Sequence, residues 1–310
     1  MKKFWIILGS IIGVLVIGTS VYAYNVYSSV KDTAQKMHEP VDQSEEKQPK
    51  KSLQENNKDQ EANTISILLM GVDERKNDKG RSDALMVMTL NPKKETMQMV
   101  SIPRDTRTKI VGHGTVDKIN HAYAFGGTKM SMDTVENFLN INLDYYIKMN
   151  MEGLVDLVDA VGGITLYNDD SWHDPGYYKK GYFYHEGDLN LNGDQAIGYV
   201  RMRYLEGGDF TRNEHQREVI QAVIKKAASF SSFTHYKDIL SAISNNVKTN
   251  LTFDDMKYIA MNDKKAKNNI KTYEVKGNGK MIDGTYYLSV SDAEVEKVHG
   301  MIEEQLSNSE

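Results

Sequence analysis

The stretch "SILLMGVDERKNDKGRSDALMVMTLNPKKETMQMVSIPRDT", residues 66–106, decides the fold class. It holds three apolar runs, at 66–72, 84–90 and 96–102, each of strand length and separated by polar connections containing Gly or Pro. The first two are continuous rather than alternating, as strands buried on both faces are. Charges stand at the ends of the runs. Asp73 follows the first, Asp83 opens the second with Arg81 two residues before it, and Arg104 closes the third after Pro103. In open α/β sheets ligands bind beyond the carboxyl ends of strands, where loops converge. If the first and third strands are neighbours, Asp73 and Arg104 face one crevice.

Further along, "MSMDTVENFLN" sets Met132, Val135, Phe138 and Leu139 on one helical face, and "MEGLVDLVDAVGG" repeats the pattern before stopping at Gly162 and Gly163. "GITLYN" and "AIGYVRMR" read as strands, and "REVIQAVIKKAASF" as an amphipathic helix. Thr252 with Asp255, and Ser291 with Glu294, resemble capping boxes that open two more helices. "KTYEVKG" and "YYLSV" add late strands. Strands interleaved with helices predict an α/β fold over residues 64–310, a single α-β-α domain with helices on both faces of a central mixed sheet.

The N-terminal part reads differently. Lys2 and Lys3 precede an uncharged run of 21 residues, Phe4 to Tyr24. That is about the ~20 residues needed to cross ~30 Å of hydrocarbon. A cleaved signal peptide is the competing reading, with Val21-Tyr22-Ala23 a tolerable cleavage triplet. The length of the run and the aromatic pair Tyr22 and Tyr24 favour a retained single-pass anchor over residues 4–24. Residues 1–3 would then be cytoplasmic and the domain extracellular, at the cell membrane. Residues 25–63, rich in Gln, Glu, Lys and Asn, read as a polar, flexible linker with a short helix near Val30–Met37.

Several chemistries are excluded by what the chain lacks. It has no cysteine, hence no disulfide and no thiolate nucleophile. No GxxxxGK[ST] or GxGxxG follows a strand, so nucleotide hydrolysis and dinucleotide redox chemistry have no support. The eight histidines show no HExxH spacing, and a net charge of −5 argues against a nucleic-acid partner. Against that acidic background, "YVRMRYLEGGDFTRNEHQR", residues 199–217, carries four arginines. Strand alternation would put Arg201 and Arg203 on one face, where two guanidinium groups repel unless an anion lies between them. Arg212 falls at a helix start after the "GGDF" break, with Gln216 on the same face. Arginine's planar fork suits phosphate, so the set reads as a polyphosphate clamp. Arg217, off that face, reads as an ordinary surface charge. With Asp73 and Asp83, these residues could hold a magnesium ion and a phosphate group.

The order "GVDER…GRSDALM…VSIPRDT…KINHAYAFGG", then "VGGI", "LNGDQAIGYVRMR" and "GDFTRNEHQR", resembles the LytR–CpsA–Psr family of Gram-positive envelope proteins over about residues 64–305. It is closest to members that attach wall teichoic acid to peptidoglycan. The resemblance implies a phosphotransferase that moves a glycopolymer phosphate from a polyprenyl-pyrophosphate carrier to a peptidoglycan hydroxyl, the C6 hydroxyl of N-acetylmuramic acid. It also implies that Asp73 and Asp83 bind magnesium (or manganese), with Asp83 a candidate base. Asp73, Asp83 and Arg104 would carry catalysis. Arg81, Arg104, Arg201, Arg203, Arg212 and Gln216 would hold the pyrophosphate, and Asp209 would orient an arginine. Two alternatives use the same residues or the family's regulatory name: a non-catalytic lipid-pyrophosphate or wall-polymer binder, and a membrane-bound transcriptional attenuator. The attenuator is disfavoured, because the topology leaves only a few cytoplasmic residues and the chain has no helix-turn-helix.

Overall fold

A computed structural model describes residues 24–41, 63–74, 80–229, 241, 244–262 and 265–307. The anchor expected at 4–24 lies, but for Tyr24, outside the described residues, as does the linker from 42 to 62. No helix among the described residues is long and apolar enough to cross a membrane.

The three apolar runs become strands β1 (Ile65–Val72), β2 (Ser82–Asn91) and β3 (Thr96–Ser101). With β4 (Tyr145–Asn150), β5 (Val247–Thr249) and β6 (Ile270–Glu274) they form a six-stranded sheet in the order β5-β4-β1-β2-β3-β6. β1 and β3 are not neighbours, because β2 lies between them and pairs antiparallel with both. β4 runs parallel to β1, and β6 parallel to β3. The sheet is therefore mixed. β1, β3, β4 and β6 all point their carboxyl ends at one edge, where β2 begins.

Alternation along the strands sorts two cores. Leu68, Met70, Val72, Val87 and Val100 share a cluster with Val135 and Leu139 of α2 (His121–Leu139) and with Val298 and Ile302 of the C-terminal helix Asp292–Leu306. Ile65, Ile67, Met86, Met88 and Met99 occupy the other cluster, with Tyr258 of the helix Phe253–Asn262 and the partly buried Ile220 and Ile224. Those two isoleucines belong to the long helix Asp209–Ser229. Both late helices open as their capping residues dictate. Thr252 Oγ1 accepts from the Asp255 amide at 3.1 Å, and the Ser291 side chain accepts from the Glu294 amide.

Two segments differ from the sequence expectation. Within the expected linker the short helix expected near Val30–Met37 is present but longer: residues 24–37 form helix α1, whose Thr33, Ala34 and Met37 are buried. The chain that follows pairs with the β5 edge: the Glu39 amide donates to the Thr249 carbonyl at 2.8 Å, and the Tyr146 hydroxyl to the Glu39 carbonyl at 2.8 Å. The spacing 33/34/37 is a helical stripe, and it is the face this helix buries. "AIGYVRMR", expected as a strand, is instead mostly helix Gly193–Arg201. Asn192 and Gln195 form a reciprocal capping box at its start. Gly198 lets this helix pack closely, since a Cβ there would meet the Tyr184 hydroxyl at 2.2 Å. Its Val200 and Tyr199 join Val158, Ile164, Trp172 and Val219 in a third core beside the sheet.

Candidate active site

The strand directions fix the site. Asp73 lies one residue past β1, Asp83 is the second residue of β2, and Arg104 follows β3 at the same edge. The helix Met151–Ala160 leaves the end of β4 there, with the Asn150 side chain capping the Gly153 amide at 2.7 Å and Glu152 in its first turn. Arg201 ends the next helix, and Met202 turns the chain out of it. Positive φ at Gly207 (91°) and Gly208 (56°) then allows the tight return into Asp209–Ser229. Arg201 and Arg203 thus come from a helix end and the loop after it rather than from one face of a strand.

A cleft of about 730 Å³ receives Asp73, Asp83, Arg201, Arg203, Arg212 and Gln216. Arg104 and Asp209 stand behind these as braces. Arg104 donates to Asp83 at 2.8 Å through Nη1 and to Asp209 at 3.2 Å through Nε. Arg212 Nη1 lies 3.1 Å from Asp209 Oδ1, an ion pair. Arg81 is exposed and is not among the cleft-lining residues; its carbonyl accepts from the Asp73 amide at 3.1 Å.

The electrostatics are uneven in an informative way. Burial pulls Arg104 down, but the Asp83 hydrogen bond and the Asp209 and Asp83 charges outweigh it and leave its pKa raised. Asp209 is held below the usual carboxylate range: Arg212, Arg104 and Arg203 overcome the burial that would raise it. Arg212 goes the other way, down to about 10, through burial and the neighbouring Arg104 charge. Its side chain is 2% exposed, and none of its three guanidinium nitrogens makes an aligned hydrogen bond among the described residues. Gln216 Oε1 is similarly buried without a donor. With one ion pair to Asp209 and no aligned hydrogen bond, this buried cation is costly unless a further anion completes it.

Other residues here escaped the sequence reading. Glu74 and Glu152 also line the cleft. Glu74 accepts from the Tyr123 hydroxyl and lies 3.7 Å from Lys148 Nζ. Arg217, expected at the surface, is 9% exposed and donates at 3.0 Å to Glu274, which also takes the Asn213 amide at 2.7 Å. Its partner is 57 residues away in sequence, so no local pattern announces it.

An apolar pocket of about 320 Å³ adjoins the cleft and shares Asn150, Met151, Val200 and Gln216 with it. Met86, Met88 and Ile147 give it a sheet wall, and Leu154, Leu157, Val223 and Ile224 give it a helical one. Gly71 faces Ala84 across β1 and β2, and a Cβ at Gly71 would stand 3.0 Å from that of Ala84. This small pair keeps the pocket open where it nears the cleft. No motif in the sequence marks the pocket, because its walls come from six separate segments.

The donor set also bears on a metal. Among the described residues no group of three or more His, Asp or Glu side chains could hold one. Asp73 and Asp83 supply carboxylates to one cleft. That suits magnesium, which takes one or two protein carboxylates and completes its octahedron with phosphate oxygens and water.

The LytR_cpsA_psr family model matches residues 24–304. A Bacillus anthracis relative, polyisoprenyl-teichoic acid–peptidoglycan teichoic acid transferase TagU, is 51% identical over 298 residues, 94% of each chain. The crystal structure of Bacillus subtilis TagU superposes with a TM-score of 0.64 at 43% identity, covering 80% of this chain and 99% of that one. A structure of TagT bound to LIIa-WTA gives 0.69 at 29% identity, over 86% and 95%. Matched along nearly its whole length, this chain belongs to the LytR–CpsA–Psr family.

Proposed function

We propose that the protein is a transferase that moves teichoic acid from a polyisoprenyl pyrophosphate carrier to peptidoglycan. The observation that carries this reading is the junction of two unlike cavities. One is lined by Arg201, Arg203 and the unspent guanidinium of Arg212, the other almost wholly by apolar side chains, and they share a wall. A lipid pyrophosphate has that same division. At ~30 Å³ per water-sized group, 320 Å³ seats on the order of ten carbons, about two isoprene units. The names of the similar transferases support the same substrate class.

In the proposed reaction the peptidoglycan hydroxyl oxygen bonds to the sugar-linked phosphorus. The bond from that phosphorus to the bridging oxygen breaks, polyprenyl phosphate leaves, and Asp83 takes the hydroxyl proton. Arg201, Arg203 and Arg212 neutralise the phosphates, and such transfer asks mainly for positioning and charge. Arg104 ties Asp83 to Asp209 and so fixes the base against the clamp. Magnesium held by Asp73 and Asp83 would add charge neutralisation at phosphorus. No nucleotide is needed, since the pyrophosphate linkage is already activated. We further place the anchor in residues 4–24, with the domain outside the cell membrane.

The test uses the full chain in nanodiscs. Asp83→Ala should abolish transfer while lipid pyrophosphate still binds, because the arginines remain. Undiminished transfer in that variant would remove Asp83 from the chemistry, and absence of transfer in the wild type would remove the function.

A further inference from the structure

The pyrophosphate reading leaves three side chains unexplained: Glu152, which lines the cleft, and Tyr177 and Tyr204, which stand beside its arginines. Tyr204 directly follows the cleft-lining Arg203 and is 75% exposed. Its ring lies within 8° of parallel to that of Tyr177, with centroids 6.5 Å apart. The Arg201 guanidinium carbon sits over the Tyr177 ring, 5.3 Å from its centroid. Arg201 is therefore steered by an aromatic face whose partner ring is open to solvent. Glu152 is a cleft carboxylate that makes no hydrogen bond or ion pair to a described residue. A carboxylate beside an anion site repels phosphate, but it accepts well from hydroxyl groups.

We infer that Tyr204, with Tyr177 and Glu152, forms the acceptor subsite, in which a pyranose ring of the peptidoglycan glycan strand packs on the tyrosine face and its hydroxyls meet Glu152. This rests on the transferase reading above. Two observations assign the platform to the acceptor rather than to the donor's sugar. The acceptor is a strand within a wall and cannot enter a cavity, so it must be met on an exposed rim, which is where Tyr204 stands. None of Tyr177, Arg201, Arg203 and Tyr204 lines the apolar pocket, so the platform stands outside the cavity proposed for the lipid.

The experiment compares wild type, Tyr204→Ala and Tyr204→Trp as full chains in nanodiscs. Three quantities are read: calorimetric affinity for soluble uncrosslinked glycan strands, the KM for those strands at saturating donor, and affinity for a lipid-pyrophosphate disaccharide. Tyr204→Ala should weaken glycan affinity and raise its KM by roughly fivefold, as expected for the loss of one aromatic packing partner. The kcat at saturating glycan and donor affinity should not change, and Tyr204→Trp should restore the KM. Unchanged glycan affinity in Tyr204→Ala would overturn the subsite. So would an equal loss of donor affinity, which would give the platform to the donor sugar, and so would failure of the tryptophan to rescue. Tyr204-dependent glycan binding in a wild type that transfers nothing would uphold the subsite and sink the transferase reading alone.

Discussion

Replacing Arg212 by methionine should strengthen the fold and cripple the site. In the folded protein burial and the Arg104 charge take the Arg212 guanidinium from its ordinary value down to about 10. At 1.36 kcal/mol per tenfold change in proton affinity, holding that charge costs the ligand-free fold roughly 3 kcal/mol. The sign follows from linkage. A cation whose folded pKa lies below its unfolded one destabilises the fold at every pH below about 10, and the cost fades as pH rises from there towards the ordinary arginine value. Methionine removes the charge at similar length, and Asp209 keeps Arg104 as a partner at 3.2 Å. Allowing for the lost Asp209 pair, the expected gain at pH 7.5 is about 1–3 kcal/mol, a Tm rise of a few degrees. On the proposed clamp the same change should delete one charge-assisted contact to pyrophosphate, ~1.5–3 kcal/mol, or on the order of ten- to a hundredfold in Kd. Calorimetric unfolding and titration with inorganic pyrophosphate, both on the full chain, read the two effects. A lower Tm with unchanged pyrophosphate affinity would refute the reasoning, for Arg212 would then be an ordinary structural arginine.

Arg217→Ala should do the opposite: it strands the buried Glu274, costs about 2–4 kcal/mol of stability, and leaves pyrophosphate titration unchanged. Ile224→Trp should fill the apolar pocket, weakening a long-chain polyprenyl pyrophosphate in a binding assay but not inorganic pyrophosphate. Burial, against the Tyr199 hydroxyl, raises Glu218 from 4.5 to about 7. Its folded form binds the proton more tightly, so stability falls as pH rises through that window. Glu218→Gln should therefore melt higher than wild type by about 1–2 kcal/mol equivalent at pH 8, and the difference should shrink as pH falls and vanish only below about 4.5 in a Tm series.

The sheet was legible because its strands announce themselves: 66–72, 84–90 and 96–102 are apolar, bounded and close in sequence. Their order was not, since pairing depends on contacts no short pattern encodes, and β2 came between β1 and β3. The convergence of Asp73, Asp83 and Arg104 survived that difference because β1 and β3 remain parallel, each antiparallel to β2. In "LNGDQAIGYVRMR" the aromatic and β-branched residues suggested a strand, yet Asn192 and Gln195 already spelled a capping box. Reading the cap first would have made the segment a helix. The arginines still reached the cleft, since a helix end followed by a turn can aim charges as well as a strand can. Arg217 and the apolar pocket were invisible for one reason. Their partners are tens of residues away or more, and only the fold brings them together.

Transfer of the sugar-linked phosphate together with the glycopolymer, with only one phosphate leaving on the lipid, is tested by identifying the lipid released. The full chain in nanodiscs is incubated with a lipid-pyrophosphate-linked glycopolymer, peptidoglycan and Mg²⁺, and the products are resolved by mass spectrometry. The expected result is glycopolymer joined to peptidoglycan through a phosphodiester, one polyprenyl monophosphate per linkage, and neither product after chelation of the metal. Release of polyprenyl pyrophosphate, or coupling that persists unchanged in Asp83→Ala, would contradict it.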